Sequence, residues 1–163
     1  MKIRKAVITA AGRGTRFLPI TKTQPKEMLP LITKPLIQHS IEEVIHSGVE
    51  QIIVITALGK QAMEDYFDRS AELEYFLEQK GEITLLGEMR RLSSLVDICY
   101  IRQKEQLGLG HAILTTKGIV GKEPFAVLLP DDIIDSKSPT LKQMIEVYEQ
   151  YKTNTIAVER IAN

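Results

Sequence analysis

Short apolar runs alternate with segments of helical period along the chain. The spacing predicts strands at KAVITAA (5–11), QIIVITA (51–57), DICYIRQ (97–103), FAVLLPD (125–131) and TIAVERI (155–161). Each is brief and most are rich in Val and Ile, as strands buried on both faces require. Helices are predicted between them. Pro35 opens one whose inward stripe is Leu36, Ile37, Ser40, Ile41, Val44 and Ile45, with Gly48 ending it. Residues 60–68 form a second, and residues 71–95 read as a helical excursion broken near Gly81 and Gly87. GHAILTTKG (110–118) and PTLKQMIEVYEQYK (139–152) complete the set, with Pro139 suited to a first turn.

This alternation predicts an α/β fold, a Rossmann-like and mostly parallel sheet with right-handed crossovers and helices on both faces. No repeat, low-complexity tract or linker divides it, so residues 1–163 are expected to be a single domain. Open sheets of this kind bind ligands beyond the carboxyl ends of their strands. Here a Gly-rich loop follows the first strand, Gln103 follows the third and Asp131 follows the fourth. Segments far apart in sequence should therefore meet along one edge.

Composition narrows the chemistry. The 44% hydrophobic content supports a sizeable core. No apolar run approaches the ~20 residues of a membrane helix, and the N-terminus lacks a signal-peptide pattern, so a cytoplasmic protein is expected. The one cysteine, Cys99, lies in an apolar run and is expected to be a small buried thiol, with no intrachain disulfide or zinc site. Formal charge sums to zero but is unevenly placed: Lys2, Arg4, Lys5, Arg13, Arg16, Lys22 and Lys26 precede the first acid, Glu27. Positive charge around the opening loop, in a chain otherwise acidic, favours a small anionic ligand over nucleic acid.

The loop ITAAGRGTRFLPITKTQPKEMLP (8–30) excludes two phosphate-binding patterns. The mononucleotide P-loop sequence is absent. The dinucleotide fingerprint fails because Phe17 occupies its third glycine and Lys34, twenty beyond Gly14, is no ribose-binding acid. What remains is G-x-G-T-R followed by Pro25-Lys26. Gly12 and Gly14 permit close backbone approach, Arg16 offers a planar fork and Lys26 a mobile cation.

AAGRGTRFLP, PKEMLPL, KPLIQHSIEE, YFDRSAELE, GLGHAIL and LLPDDIID resemble, in order, the bacterial UTP–glucose-1-phosphate uridylyltransferases, a group of sugar nucleotidylyltransferases. PKEML and GLGHA are more similar to the uridylyl than to the thymidylyl branch. The resemblance implies transfer of uridylyl from UTP to glucose 1-phosphate, with Mg²⁺. It places Ala10, Ala11 and Gly12 at the nucleotide, Gly14, Thr15 and Arg16 at its triphosphate, and Lys26 on the phosphates through the reaction. Arg16 and Lys26 would thus be the catalytic cations. Gln103 would read the pyrimidine edge beside Gly108, and Asp131 would be the metal ligand. Asp132 and Asp135 are expected to be solvated or capping, His39 and His46 packing or surface residues, His111 structural support, and Glu27 a brace for the loop. The resemblance also implies that this is the N-terminal, nucleotide-binding part, the sugar-binding half being absent. Three readings follow: the uridylyltransferase, a dTTP-using thymidylyltransferase, or a non-catalytic nucleotide-binding module. A sheet edge left bare after TIAVERI would favour a homo-oligomer.

Overall fold

The computed structural model describes residues 2–160. In chain order it contains β1 (Lys5–Thr9), a small antiparallel hairpin of β2 (Pro30–Leu31) and β3 (Lys34–Pro35), α1 (Leu36–His46), β4 (Gln51–Thr56), α2 (Gln61–Phe67) and α3 (Ala71–Lys80). There follow α4 (Ile83–Ser93), β5 (Ile98–Arg102), α5 (Leu109–Thr115), α6 (Lys117–Val120), β6 (Phe125–Leu128) and α7 (Thr140–Tyr151). The main sheet has the order β5-β4-β1-β6, and all its pairings are parallel. Lys5 of β1 lies opposite both Gln51 and Phe125, so the central strand starts level with both neighbours.

Both sheet faces are covered, for the reason the apolar runs suggest. Alternate strand residues point to opposite faces. Ala6, Ile8, Ile52 and Val54 pack with Ile37, Ile41 and Val44 of α1, Met63 and Phe67 of α2, Leu92 of α4 and Leu141 of α7. Val7, Ile53 and Ile55 face the other way, onto Ala112 of α5 and Val120 of α6. Each fully buried Val or Ile contributes roughly 1.5–3 kcal/mol relative to exposure. α1 follows its predicted stripe closely, and the left-handed Gly48 ends it. Its Glu43 accepts a hydrogen bond from the backbone N–H of Leu141 (2.7 Å), satisfying one of the free donors of α7's first turn.

Three expectations are corrected. The run 155–160 has no regular structure, with Ile156 and Val158 79% and 84% exposed; Ile161, the last residue of that predicted strand, lies outside the described residues. Strand propensity becomes a strand only where a neighbour supplies ladder hydrogen bonds. β6 is therefore one edge of the sheet among the described residues, opposite β5. Gly87 does not break the excursion but lies inside α4, where burial of Leu86 and Leu92 offsets the ~1 kcal/mol cost of a helical glycine. The real break is Gly81, at positive φ between α3 and α4. Finally, Cys99 is exposed, because β5 is an edge strand.

Candidate functional site

At the carboxyl end of the sheet the strands release their chains into a cleft of about 560 Å³, within the size range of ligand sites. Gly12 lines it from the loop after β1, Leu58 to Lys60 from the loop after β4, and Gln103 to Gln106 from the segment after β5. Thr21 to Lys26 close a further side. Arg13, Lys22, Lys26, Lys60 and Lys104 contribute cations and Glu105 one carboxylate, so the walls suit an anion.

The glycine loop is held by its own neighbours. Gly14 is left-handed (φ +66°) and precedes a 3₁₀ turn, Thr15–Phe17; Thr21 Oγ1 donates to its carbonyl at 2.8 Å. Gln106 donates through Nε2 to the Ala11 carbonyl (2.7 Å) and accepts from Arg13 Nε (2.6 Å), tying the loop to the segment after β5. Ala10 is fully buried, and Ala11 nearly so. Their side chains pack into the two cores, Ala10 on one sheet face and Ala11 on the other, and Gly12 is the first residue of the three to line the cleft.

Lys26 sits in the third 3₁₀ turn, Lys26–Met28, which follows Thr15–Phe17 and Ile20–Lys22 and is entered through Pro25. Its Nζ donates to Asp131 Oδ2 at 2.8 Å, joining the loop after β1 to the loop after β6. Partial burial pushes the Asp131 carboxyl up, but the Lys26 hydrogen bond and charge outweigh it and leave the group below its ordinary range, helped by Arg16. Beside Lys26, Glu27 turns inward and pairs with Lys60 (2.6 Å). Burial pushes the Glu27 carboxyl up and the Lys60 ammonium down, the pair opposing both shifts. The expectation that Glu27 braces the loop thus acquires a named partner.

Gln103 is buried. Its Nε2 faces the Gly108 carbonyl (3.3 Å) and His111 Nδ1 (3.0 Å). A donating amide requires the His111 tautomer protonated at Nε2. Both amide hydrogens are then engaged, and the end of Gln103 left for a ligand is its acceptor Oε1. Gly108, at φ +95°, supplies the carbonyl that orients this amide.

The expected site residues are therefore gathered unequally. Gly12, Lys26 and Gln103 line the cleft; Asp131, Gly14 and Gly108 touch those residues; Thr15 and Arg16 lie on an exposed turn, where Arg16 makes no ion pair or hydrogen bond among the described residues. Lys60 and Gln106 were not anticipated. Their signal was their place, just beyond the ends of β4 and β5, where side chains reach the ligand edge.

Among the described residues no group of three His, Cys, Asp or Glu side chains could hold a metal alone. Asp131 offers a hard carboxylate oxygen beside Lys26. One such ligand with phosphate oxygens and water is a donor set that fits Mg²⁺.

A nucleotidyl transferase family model matches residues 5–162. The chain belongs to that family. Similar members include a UTP–glucose-1-phosphate uridylyltransferase of Bacillus subtilis (strain 168), 55% identical over 160 residues, which are 98% of this chain and 54% of that protein. Among solved structures, a UTP-bound UGPase from Acinetobacter baumannii superposes with a TM-score of 0.87 at 44% identity, covering 92% of this chain and 54% of that one. A UDP-glucose pyrophosphorylase complexed with UDP-glucose superposes with a TM-score of 0.77 at 45% identity, covering 92% and 55%. This nucleotidyl transferase chain spans about half the length of the relatives it matches. No described helix is long and apolar enough to cross a membrane.

Proposed function

We propose that the cleft binds UTP and serves uridylyl transfer to glucose 1-phosphate, giving UDP-glucose and pyrophosphate. The observation that carries this reading is the meeting of Gly12, Lys26 and Gln103 in one basic cleft of nucleotide size. Similarity to a UTP-bound relative supports it.

A phosphate oxygen of glucose 1-phosphate attacks the α-phosphorus in line; the bond from that phosphorus to the bridging oxygen breaks, and pyrophosphate leaves. The attacking group is already an anion and needs no strong base, so the main barrier is bringing anions together. Backbone N–H groups of Gly12 to Thr15, the Arg16 fork and the Lys26 ammonium neutralise the triphosphate. Gln103 Oε1 accepts from the uracil imino N–H, with His111 fixing the amide's orientation. Mg²⁺, carried on Asp131 and phosphate oxygens, would screen the phosphate charge. Lys26 must then exchange part of its Asp131 contact for phosphate.

The reading includes a cytoplasmic location and a homo-oligomer that covers the β6 edge; light scattering showing only monomer at high concentration would remove the second. One alternative is a module that binds UTP without turning it over. Calorimetric titration with UTP and dTTP, beside an assay of UDP-glucose formation, separates the cases. Binding of UTP with turnover supports the enzyme, and binding alone supports the module. Preference for dTTP supports the thymidylyl branch, and no nucleotide binding overturns the proposal.

A further inference from the structure

Lys60 and Glu27 form a buried ion pair that the reaction above does not use. Their side chains are 8% and 1% exposed. Lys60 follows Gly59 at the end of the β4–α2 loop, and Glu27 lies in the turn that carries Lys26. Successive residues of this turn are thus held by different elements, Glu27 by Lys60 (2.6 Å) and Lys26 by Asp131 of the loop after β6 (2.8 Å). Glu27 Oε1 has no hydrogen-bond partner, so Lys60 is the one side chain that satisfies this carboxylate among the described residues.

A buried carboxylate and ammonium are a poor way to gain stability. Replacing such pairs by apolar residues of similar volume is often neutral or stabilising, whereas removing one partner is strongly destabilising. What a pair supplies that an apolar contact lacks is direction. Among the described residues the turn's backbone hydrogen bonds are local, Met28 N–H to the Pro25 carbonyl and Leu29 N–H to that of Lys26. Met28 packs on the core, and the Glu27–Lys60 pair is the polar tie to the end of the β4–α2 loop.

Resting on the nucleotide reading above, we propose that Glu27 and Lys60 are positioning residues: their ion pair clamps the Lys26–Met28 turn to the β4–α2 loop and so sets the Lys26 ammonium against Asp131 at the phosphate side of the cleft.

The test compares the 163-residue chain with its Glu27→Leu/Lys60→Met double variant and the Lys60→Met single variant, using two readouts. The first is UTP affinity in magnesium buffer by calorimetry. The second needs no ligand: the rate at which acetic anhydride modifies Lys26, followed by peptide mass spectrometry, with Asp131 shielding that amine in the parent. The single variant should unfold at lower temperature, and the double should recover thermal stability. Despite that recovery, the double variant should bind UTP on the order of tenfold to a hundredfold more weakly, the scale of a small misplacement of a binding group. Lys26 should also lose its protection. Glu27→Gln, near-isosteric, is read by the same two measurements should the double variant not fold. A double variant with parental stability, parental UTP affinity and parental Lys26 protection overturns the inference. If the parent binds no UTP, the nucleotide reading fails, while loss of Lys26 protection still supports the clamp.

Discussion

Gly14→Ala probes how tightly the glycine loop is built. Gly14 has φ +66°, and an added Cβ would stand 3.1 Å from Lys26 Cβ and Thr21 Cγ2, and 3.3 Å from Thr21 Cβ. Holding alanine at left-handed φ costs roughly 1–2 kcal/mol. Crowding adds roughly 1–3 kcal/mol, because the contacts fall near the backbone of residues that cannot swing aside. Thr21 is anchored to the Gly14 carbonyl and Lys26 to Asp131. Lower entropy of the unfolded alanine chain offsets about 0.4–1 kcal/mol. The net loss is about 3 kcal/mol, or on the order of 6–12 °C in Tm for a chain of this size. Gly59→Ala is the control: φ is also positive, at +81°, but nothing lies within 4 Å of the added carbon. It should lose about 1 kcal/mol, from backbone strain alone. Thermal and urea unfolding of both variants measures the difference, expected to be about 2 kcal/mol. If the two agree within about 0.5 kcal/mol, the tight packing of Gly14 on Lys26 and Thr21 is refuted.

Two further outcomes follow from named groups. Arg16→Ala should lose roughly 3 kcal/mol of transition-state stabilisation in a UDP-glucose assay, the scale of a removed preorganised donor, and turnover within about threefold of the parent contradicts its role. Glu74, held by Arg69 (2.6 and 2.8 Å) and Arg90 (3.0 Å), has its carboxyl lowered to about 2 by those hydrogen bonds. A depressed acid stabilises the fold above the unfolded value of ~4.3 and loses that contribution as pH falls toward 2. Acid unfolding between about pH 5 and 2 should therefore be less steep in Glu74→Gln, and equal slopes would contradict the arginine clamp.

The sheet and its ligand edge were readable because β-branched runs, helix stripes and strand-end polar residues obey strong local rules. β1 and β4 carry such runs, and α1 its stripe. The failures are non-local. Strand formation at 155–160 and burial of Cys99 depend on which strands have neighbours, which a run's composition does not encode. Gly12, Lys26 and Gln103 could be named from loop chemistry and family resemblance. Lys60 had a signal only in its place beyond β4; its pairing with Glu27, thirty-three positions away in sequence, is made by the fold alone. Ala10 and Ala11 were named from the motif alone; the fold buries both side chains, so any approach to a ligand there falls to their backbone.

A crystal structure of this chain grown with UTP and magnesium tests the central claim most directly. The triphosphate should lie along Gly12 to Arg16 with Lys26 on its oxygens, and uracil should present its imino N–H to Gln103 Oε1. A nucleotide bound elsewhere, or a cleft with no ligand at saturating UTP and Lys26 still paired with Asp131, would contradict it.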